Sequence, residues 1–523
     1  MEKKQESNLI VDGLRRISPQ IWAAFCGAMF FGLFAHGMGL LNKFSHHEDV
    51  NSLFDFGLTV SSGRWTLQIF KWLEEQVFGT PNTSLPLYNG IISLLCVGMV
   101  CGLLVHLLKI RNTLYCALTG AIMSAFPVIT VLFAYMYTSH VYMIGLVMLT
   151  VSAVLICQDT PWWVRLFAVC LGGAAVGIYQ VFLSNFLTTI LIYDIMILTR
   201  TNRINRDFWK RIGSQLICIL STMFVYLAGN QFFLHKYHME LSAYQGIDEM
   251  GRLTMQELLN RTGALYREFF NPTQQVFHDM YPGTLHLVYK LTLVMEGVLV
   301  FRLIWLTWRK DKGQAVVMAM LFALIPLGCN FIYIMGGSVH GLMVYGQVMQ
   351  VVLFAFLFDQ LELPGIRVNQ VLSLVASIVL MCMAVMYARY DNQCYLKDAL
   401  HQQEAISYFT TLITRIKSQT GYRPEMEVHF TNTIDAEKLA ELDPTAYNID
   451  ELDYIRINPY WHNFMEYTHV WSRADFMRVW CGADFTWNID ESLRERPEVL
   501  AMPAYPADGS IQIIDDVVVV KFY

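Results

Sequence analysis

Between residues 36 and 65 the chain gathers His36, His46, His47, the adjacent carboxylates Glu48 and Asp49, then Asp55 and the pair Arg64-Trp65. Adjacent carboxylates in an extended or loop segment point in different directions, so one can react while the other positions or binds. A carboxylate placed there can take the proton of a sugar hydroxyl as its oxygen attacks an activated anomeric carbon, which is general base catalysis. Asp49 is the better choice for the base and Glu48 for support. The competing reading makes Asp49 or Ser52 a helix cap. Arg64 offers a planar fork of fixed charge that suits a lipid-linked phosphate, against the alternative of an arginine snorkelling among ordinary headgroups.

Two later stretches carry the same kind of chemistry. Tyr179-Gln180 sits at a turn between apolar segments, where the amide can hydrogen-bond sugar hydroxyls and the ring can stack on a sugar; an interfacial aromatic in a tight turn explains it equally. His340, in Met335-Gly336-Gly337-Ser338-Val339-His340-Gly341, lies among glycines that allow close backbone approach, as does any plain loop. The spacing of His36, His46 and His47 matches no dedicated metal site, so hydrogen bonding or exposure is expected of them. His140, Lys236 and His238 have no spacing that selects them.

These residues must be positioned by apolar segments. Of 523 residues, 55% are hydrophobic and only 15% charged, whereas soluble domains carry about 25% charged residues, so the chain reads as a polytopic helical membrane protein. The net charge of -6 is modest and no basic run points to nucleic acid. No short apolar region with a small-residue cleavage site opens the chain, so the first helix is expected to be retained. Nine of the eleven cysteines, from Cys26 to Cys382, fall in apolar runs. Only Cys394 and Cys481 lie in the polar C-terminal part, where a bridge between them is neither demanded nor excluded.

Eleven segments are long enough to cross the bilayer: 20–41, 86–108, 113–136, 140–158, 162–179, 181–199, 211–233, 284–307, 314–334, 341–360 and 366–389. Lys3, Lys4, Arg15 and Arg16 precede the first, and Lys109, Arg111, Arg165, Arg200, Arg203, Arg206, Lys210, Arg211, Arg309, Lys310, Lys312 and Arg367 fall in or at the boundaries of alternate connections, while 137–140 and 335–340 hold neither Lys nor Arg. This asymmetry puts the N-terminus in the cytoplasm, and eleven crossings put the C-terminal part outside. Three segments then lie on the outer face: 42–85, 234–283 and 390–523. In the first, Trp65, Ile69, Leu73 and Val77 share one helical face, as for a helix lying in the interface. The second is too long for a connector and reads as a surface helix or a lid. The third is expected to be a small α/β domain, with a helix over 396–418 and strands at 426–431, 511–522 and 499–502. The domains are thus 1–389, membrane-embedded, and 390–523, extracytoplasmic.

Taken together, the His-Gly-x-x-Leu-x-Asn end of the first apolar segment (His36, Gly37, Leu40, Asn42), the acidic pair Glu48-Asp49 and then Gly63-Arg64-Trp65 resemble the Gtr-type serotype-converting O-antigen glucosyltransferases, the GtrII group, which have the GT-C architecture. Gly177-Ile178-Tyr179-Gln180 is similar to a Tyr-Gln signature at a later turn in that family. The family's acidic pair is usually Asp-Asp, so Asp49 is the firmer carry-over and Glu48 the departure.

The resemblance implies an integral membrane glucosyl- or hexosyltransferase of the bacterial plasma membrane. It would take sugar from a polyprenyl-phosphate-linked donor, undecaprenyl phosphate glucose above all, and attach it on the outer face to a cell-surface polysaccharide or its lipid-linked precursor. Asp49 would be the base, with Glu48 beside it, and Arg64 would hold the phosphate. Tyr179 and Gln180 would line the sugar site, with Trp65, His36, Asn42 and His340 as further substrate-binding candidates. Direct displacement with inversion needs only one carboxylate. No cofactor is called for, and dependence on a divalent metal is left open. The competing function is a polysaccharide or lipid-linked-sugar transporter or flippase, for which Glu296, inside an apolar segment, is the one residue that speaks.

Overall fold

A computed structural model of the chain describes residues 17–54, 57, 59–79, 83–201, 204–242, 254–272, 283–335, 339–360, 366–431, 449–452, 455 and 470–522. Asp55 and Gly336 to Ser338 lie outside the described residues. The chain divides into two compact units. The first is made of residues 1–41 and 58–391, the second of residues 42–57 and 392–523.

The first unit is a helical bundle. It contains α1 (Pro19–Leu41), α3 (Trp65–Phe78), α4 (Pro86–Leu108), α5 (Thr113–Ser124), α6 (Val128–Phe133) and α7 (Met136–Cys157). It continues through α8 (Trp162–Val176), α9 (Leu183–Arg200), α10 (Arg206–Tyr237), α11 (Met255–Phe270), α12 (Gly283–Lys310), α13 (Lys312–Cys329), α14 (Ile332–Met335), α15 (Met349–Asp359) and the start of α16 (Ile366–Lys417). Helix α2 (His47–Asn51) belongs to the second unit.

Local chemistry starts several of these helices. Asn112 caps α5 by accepting from the amides of Leu114 and Tyr115, Asn205 caps α10, and Thr254 with Glu257 forms a full capping box on α11. Among the described residues, seven helices are long and apolar enough to cross a membrane: α1, α4, α7, Gln180–Arg200, α10, α13 and Arg367–Lys417. The segments expected over 113–136, 162–179 and 341–360 are shorter helices, Thr113–Ser124, Trp162–Val176 and Tyr345–Asp359. The first of these stops short because Pro127 has no amide hydrogen to continue the ladder, and the chain restarts in α6.

Two polar clamps fix the end of the bundle at which α1 begins. The Asp359 carboxylate accepts from the amides of Arg111 (3.0 Å) and Asn112 (2.8 Å). Gln314 Nε2 donates to the carbonyls of Leu198 (2.6 Å) and Thr201 (2.8 Å). At the other end, where α1 finishes and α4 starts, Asn89 donates to the carbonyls of Thr83 and Met136.

In the second unit, β1 (Glu427–Phe430), α17 (Val470–Trp480), β2 (Thr486–Trp487), α18 (Pro497–Ala501), β3 (Ile511–Ile514) and β4 (Val517–Val520) follow the second part of α16. The four-stranded sheet has the order β2-β1-β4-β3. Strand β1 is parallel to both neighbours, and β3 and β4 form an antiparallel hairpin. Asp515 and Asp516 turn that hairpin with φ of 48° and 63°, the left-handed pair that a two-residue turn requires. Val428, Val518 and Val520 pack against Phe409, Leu412 and Phe476, while Val519 faces Val499 and Met502 on the opposite side.

Two sequence expectations change here, and one question the sequence left open is answered. Residues 499–502 are not a strand, since Pro497 opens the short helix α18. The helices expected over 366–389 and 396–418 are one helix of 52 residues, because nothing between them breaks the ladder. Cys394 and Cys481 are free cysteines.

Candidate active site

Arg64 is built into the first unit by the short loop before α3. Gly63 adopts φ of 74°, and a Cβ there would come within 2.7 Å of Gln180 Nε2 and of the Tyr226 hydroxyl, so glycine is required on both counts. The loop is tied to itself by the Arg64 amide on the Thr59 carbonyl (3.2 Å) and the Thr59 hydroxyl on the Arg64 carbonyl (3.1 Å). Gln180 then holds it from outside, donating Nε2 to the Ser62 carbonyl (2.9 Å) and to the Tyr226 hydroxyl (3.1 Å).

The guanidinium itself rests on aromatic rings. Tyr142 and Tyr179 stack with centroids 4.5 Å apart and planes 12° from parallel. Arg64 Cζ lies 5.7 Å from the first centroid and 5.2 Å from the second, and Nη1 donates to the Tyr142 hydroxyl at 2.9 Å. Stacking of this kind fixes the plane of the fork, which an ammonium on a flexible stem cannot match. Tyr179 is anchored in turn by its hydroxyl, which donates to the Leu342 carbonyl (3.3 Å).

Trp65 closes the other side. Its indole stacks on Phe233 at 5.5 Å and lies in a slot where a Cβ on Gly177 or Gly229 would come within 2.7 Å of the ring. The Thr66 amide donates to the Gly177 carbonyl, which joins the start of α3 to the 177–182 turn. Trp65 is therefore inserted into the bundle, while Trp72, Leu73, Val77 and Phe78 form the exposed apolar side of α3. Trp65 Nε1, Thr66 Oγ1 and Asn230 Oδ1 are buried here without a hydrogen-bond partner.

Asn42, Glu48 and Asp49 fall in the second unit. Helix α2 begins after His46, so Asp49 lies inside it and does not cap it. Val50 anchors that helix, fully buried among Phe409, Leu412, Ile416, Phe476 and Met477. Ser45 reinforces the anchor, its amide donating to Gln402 Oε1 (2.8 Å) and its hydroxyl accepting from Trp480 Nε1 (2.9 Å). Asp49 is buried, with Oδ2 paired to the Lys43 ammonium and Oδ1 without a hydrogen-bond partner. Glu48, next to it, is exposed.

The structure thus brings Arg64, Trp65, Tyr179 and Gln180 together in one unit. His36 is fully buried on α1, with Nε2 2.8 Å from the Ser124 carbonyl and its ring edge-on to Phe133. His340 precedes the 341–343 turn, and its carbonyl accepts from the Met343 amide. Glu296 is buried on α12 and accepts from Gln350 Nε2 at 3.0 Å. Among the described residues no three His, Cys, Asp or Glu side chains come together as a metal site.

Sequence reasoning missed Tyr142, Tyr226 and Lys43. Tyr142 reads as one more aromatic in an apolar segment, and only its nearness to Ser139 and His140 marks the end of that segment as polar.

Residues 37–358 match the family model described as Glucosyl transferase GtrII. No curated protein and no solved structure matches the chain.

Proposed function

This chain belongs to the glucosyl transferase GtrII family, whose model spans well over half of it, and from that premise we propose that it moves a hexosyl group, glucose first, from a polyprenyl-phosphate-linked donor to a cell-surface polysaccharide or its lipid-linked precursor. That it is a glycosyltransferase follows from the family; the donor, the acceptor and the residue roles are our reading. Undecaprenyl phosphate glucose is the donor we assign.

The observation that carries the reading is Arg64 on its pair of stacked tyrosines, 2.9 Å from the Tyr142 hydroxyl. A guanidinium of fixed plane suits the phosphodiester of a sugar-phosphate lipid, which it grips through two parallel N–H donors. In the reaction the acceptor hydroxyl gives its proton to Asp49 and its oxygen bonds to the anomeric carbon. The bond from that carbon to the phosphate oxygen breaks, and its electron pair leaves with the polyprenyl phosphate that Arg64 holds. One displacement inverts the anomeric centre. Lys43 orients the Asp49 carboxylate through Oδ2, and Oδ1 remains to accept the proton. Glu48 supports it. Tyr179 and Gln180 shape the sugar side, with Trp65 at its wall and His340 beside the 341–343 turn. His36 and Asn42 act through the placement of their segment.

The Lys/Arg asymmetry of the connections supports a cytoplasmic N-terminus, and eleven crossings would then put the chemistry on the outer face. A multi-pass protein of the bacterial plasma membrane, with 390–523 extracytoplasmic, is the arrangement we assign.

The test is transfer of radiolabelled sugar from undecaprenyl phosphate glucose to isolated cell envelopes by the purified full chain. Asp49→Asn is expected to bind donor normally and to lose about 10²- to 10⁴-fold in transfer, the usual contribution of a general base. Equal transfer by both proteins would remove Asp49 from the chemistry. Donor binding without transfer by either would favour the transporter.

A further inference from the structure

In the first unit, the C-terminal turn of α11 meets α14 and the 345–348 turn, and there buried polar atoms gather without partners. Asn330 Nδ2 donates to the Leu265 carbonyl (3.3 Å) and Gln347 Nε2 to the Phe269 carbonyl (3.4 Å). The Phe269 carbonyl, in the last turn of α11, also accepts from the Tyr289 hydroxyl (2.7 Å), and the Leu265 carbonyl lies one turn earlier, so the two amides brace the end of the helix. Their oxygens, Asn330 Oδ1 and Gln347 Oε1, are buried and have no hydrogen-bond partner. The same holds for Glu268 Oε2 and for the Tyr333 hydroxyl, on side chains 4% and 7% exposed. Glu268 lies close enough to Tyr333 for its charge to act on the phenol. Helix α11 is outside the candidate membrane spans, and burial pushes the Glu268 carboxyl up to about 7.

Leaving such atoms unfilled is costly, on the order of 1–3 kcal/mol for each buried group, and native structures rarely leave several in one place. Three of the four are acceptors and the fourth is a hydroxyl that both donates and accepts. Their complement is a compact ligand bearing several hydroxyls. The place is also right for one: the chain segment that supplies Gln347 begins with the 341–343 turn, whose Leu342 carbonyl holds the Tyr179 hydroxyl beneath Arg64.

The geometry points to a hexose-binding subsite formed by Glu268, Asn330, Tyr333 and Gln347, which takes the hydroxyls of a pyranose ring. This rests on the transferase reading above for its relevance to turnover. Sugar recognition by the four residues does not depend on which lipid, if any, carries the sugar. The pyranose is either that of the donor or that of the acceptor, which present the same hydroxyl chemistry.

Saturation-transfer NMR with methyl glucoside, on the full chain in detergent, tests the subsite directly. Wild type is expected to give a signal, Glu268→Gln to lose about tenfold in affinity and Tyr333→Phe about threefold, as for a charged and a neutral hydrogen bond. Arg64→Ala is expected to keep the signal. Tyr333→Phe changes no volume to speak of and keeps the test valid if Glu268→Gln misfolds. Full signal in both variants, or none in wild type, overturns the proposal and leaves the four atoms to water.

A second measurement assigns the sugar. If wild type prefers undecaprenyl phosphate glucose over undecaprenyl phosphate and Glu268→Gln erases the preference, the subsite holds the donor glucose. If the preference survives while the methyl glucoside signal is lost, it holds the acceptor. Failure of the donor reading would instead appear as no binding of either lipid by wild type, with the methyl glucoside signal intact.

Discussion

Arg64 and Asp49 are held by opposite means. Arg64 is placed by contacts far apart in sequence, on Tyr142, Tyr179 and the loop that Gln180 clamps. Asp49 is placed by one hydrophobic anchor, its neighbour Val50, which sinks into the core of the second unit. The first arrangement fixes the plane of a side chain, as bidentate recognition of an anion demands. The second fixes a backbone and leaves the carboxylate one ion pair, to Lys43, and one unfilled oxygen. Binding and proton transfer ask for these different kinds of precision, and the two regions divide along that line.

The comparison breaks most visibly at Arg64. Arg64→Ala removes a charged donor from a phosphate and is expected to weaken undecaprenyl phosphate glucose binding about 10- to 100-fold, the range for hydrogen bonds to charged groups. Isothermal titration of the detergent-solubilised protein reads it, and unchanged affinity would sink the phosphate assignment. Arg64→Lys should recover only a small part, because an ammonium restores charge without the planar fork.

Val50→Ala attacks the other region. Removing two buried methyl groups costs about 2 kcal/mol of stability in the second unit, seen as faster proteolysis of 392–523. Because α2 is only five residues long, loosening its anchor is expected to lower transfer while donor affinity stays at the wild-type value. A parallel drop in donor affinity would mean that the two regions are not independent in the way described.

Much of this was legible in the chain. The apolar periodicity marks the helices because burial on a bundle interior leaves a long hydrophobic run, and Gly63-Arg64-Trp65 with Tyr179-Gln180 marks residues that do meet. What sequence cannot carry is the assignment of 42–57 to the C-terminal unit. Val50 is an ordinary valine, and its partners Phe409 and Phe476 lie hundreds of residues away. The strand expected at 499–502 failed for the opposite reason: a short apolar run has no period of its own, and Pro497 decided it. Tyr142 went unseen because a stacking partner and a lipid-facing aromatic look alike within an apolar segment.

Tyr142→Phe is the finest test of the comparison. It deletes the hydroxyl that Arg64 Nη1 reaches and keeps the ring that stacks on Tyr179. The loss of one such hydrogen bond is about 1 kcal/mol, so donor affinity should fall about fivefold. Transfer at saturating donor should stay close to wild type, because Asp49 and its partner Lys43 are unaltered. If affinity stays level too, the stacked rings alone set the plane of the guanidinium, and the hydroxyl only fills a donor. If maximal transfer falls with affinity unchanged, Arg64 acts chiefly on the departing phosphate and not on the bound ground state.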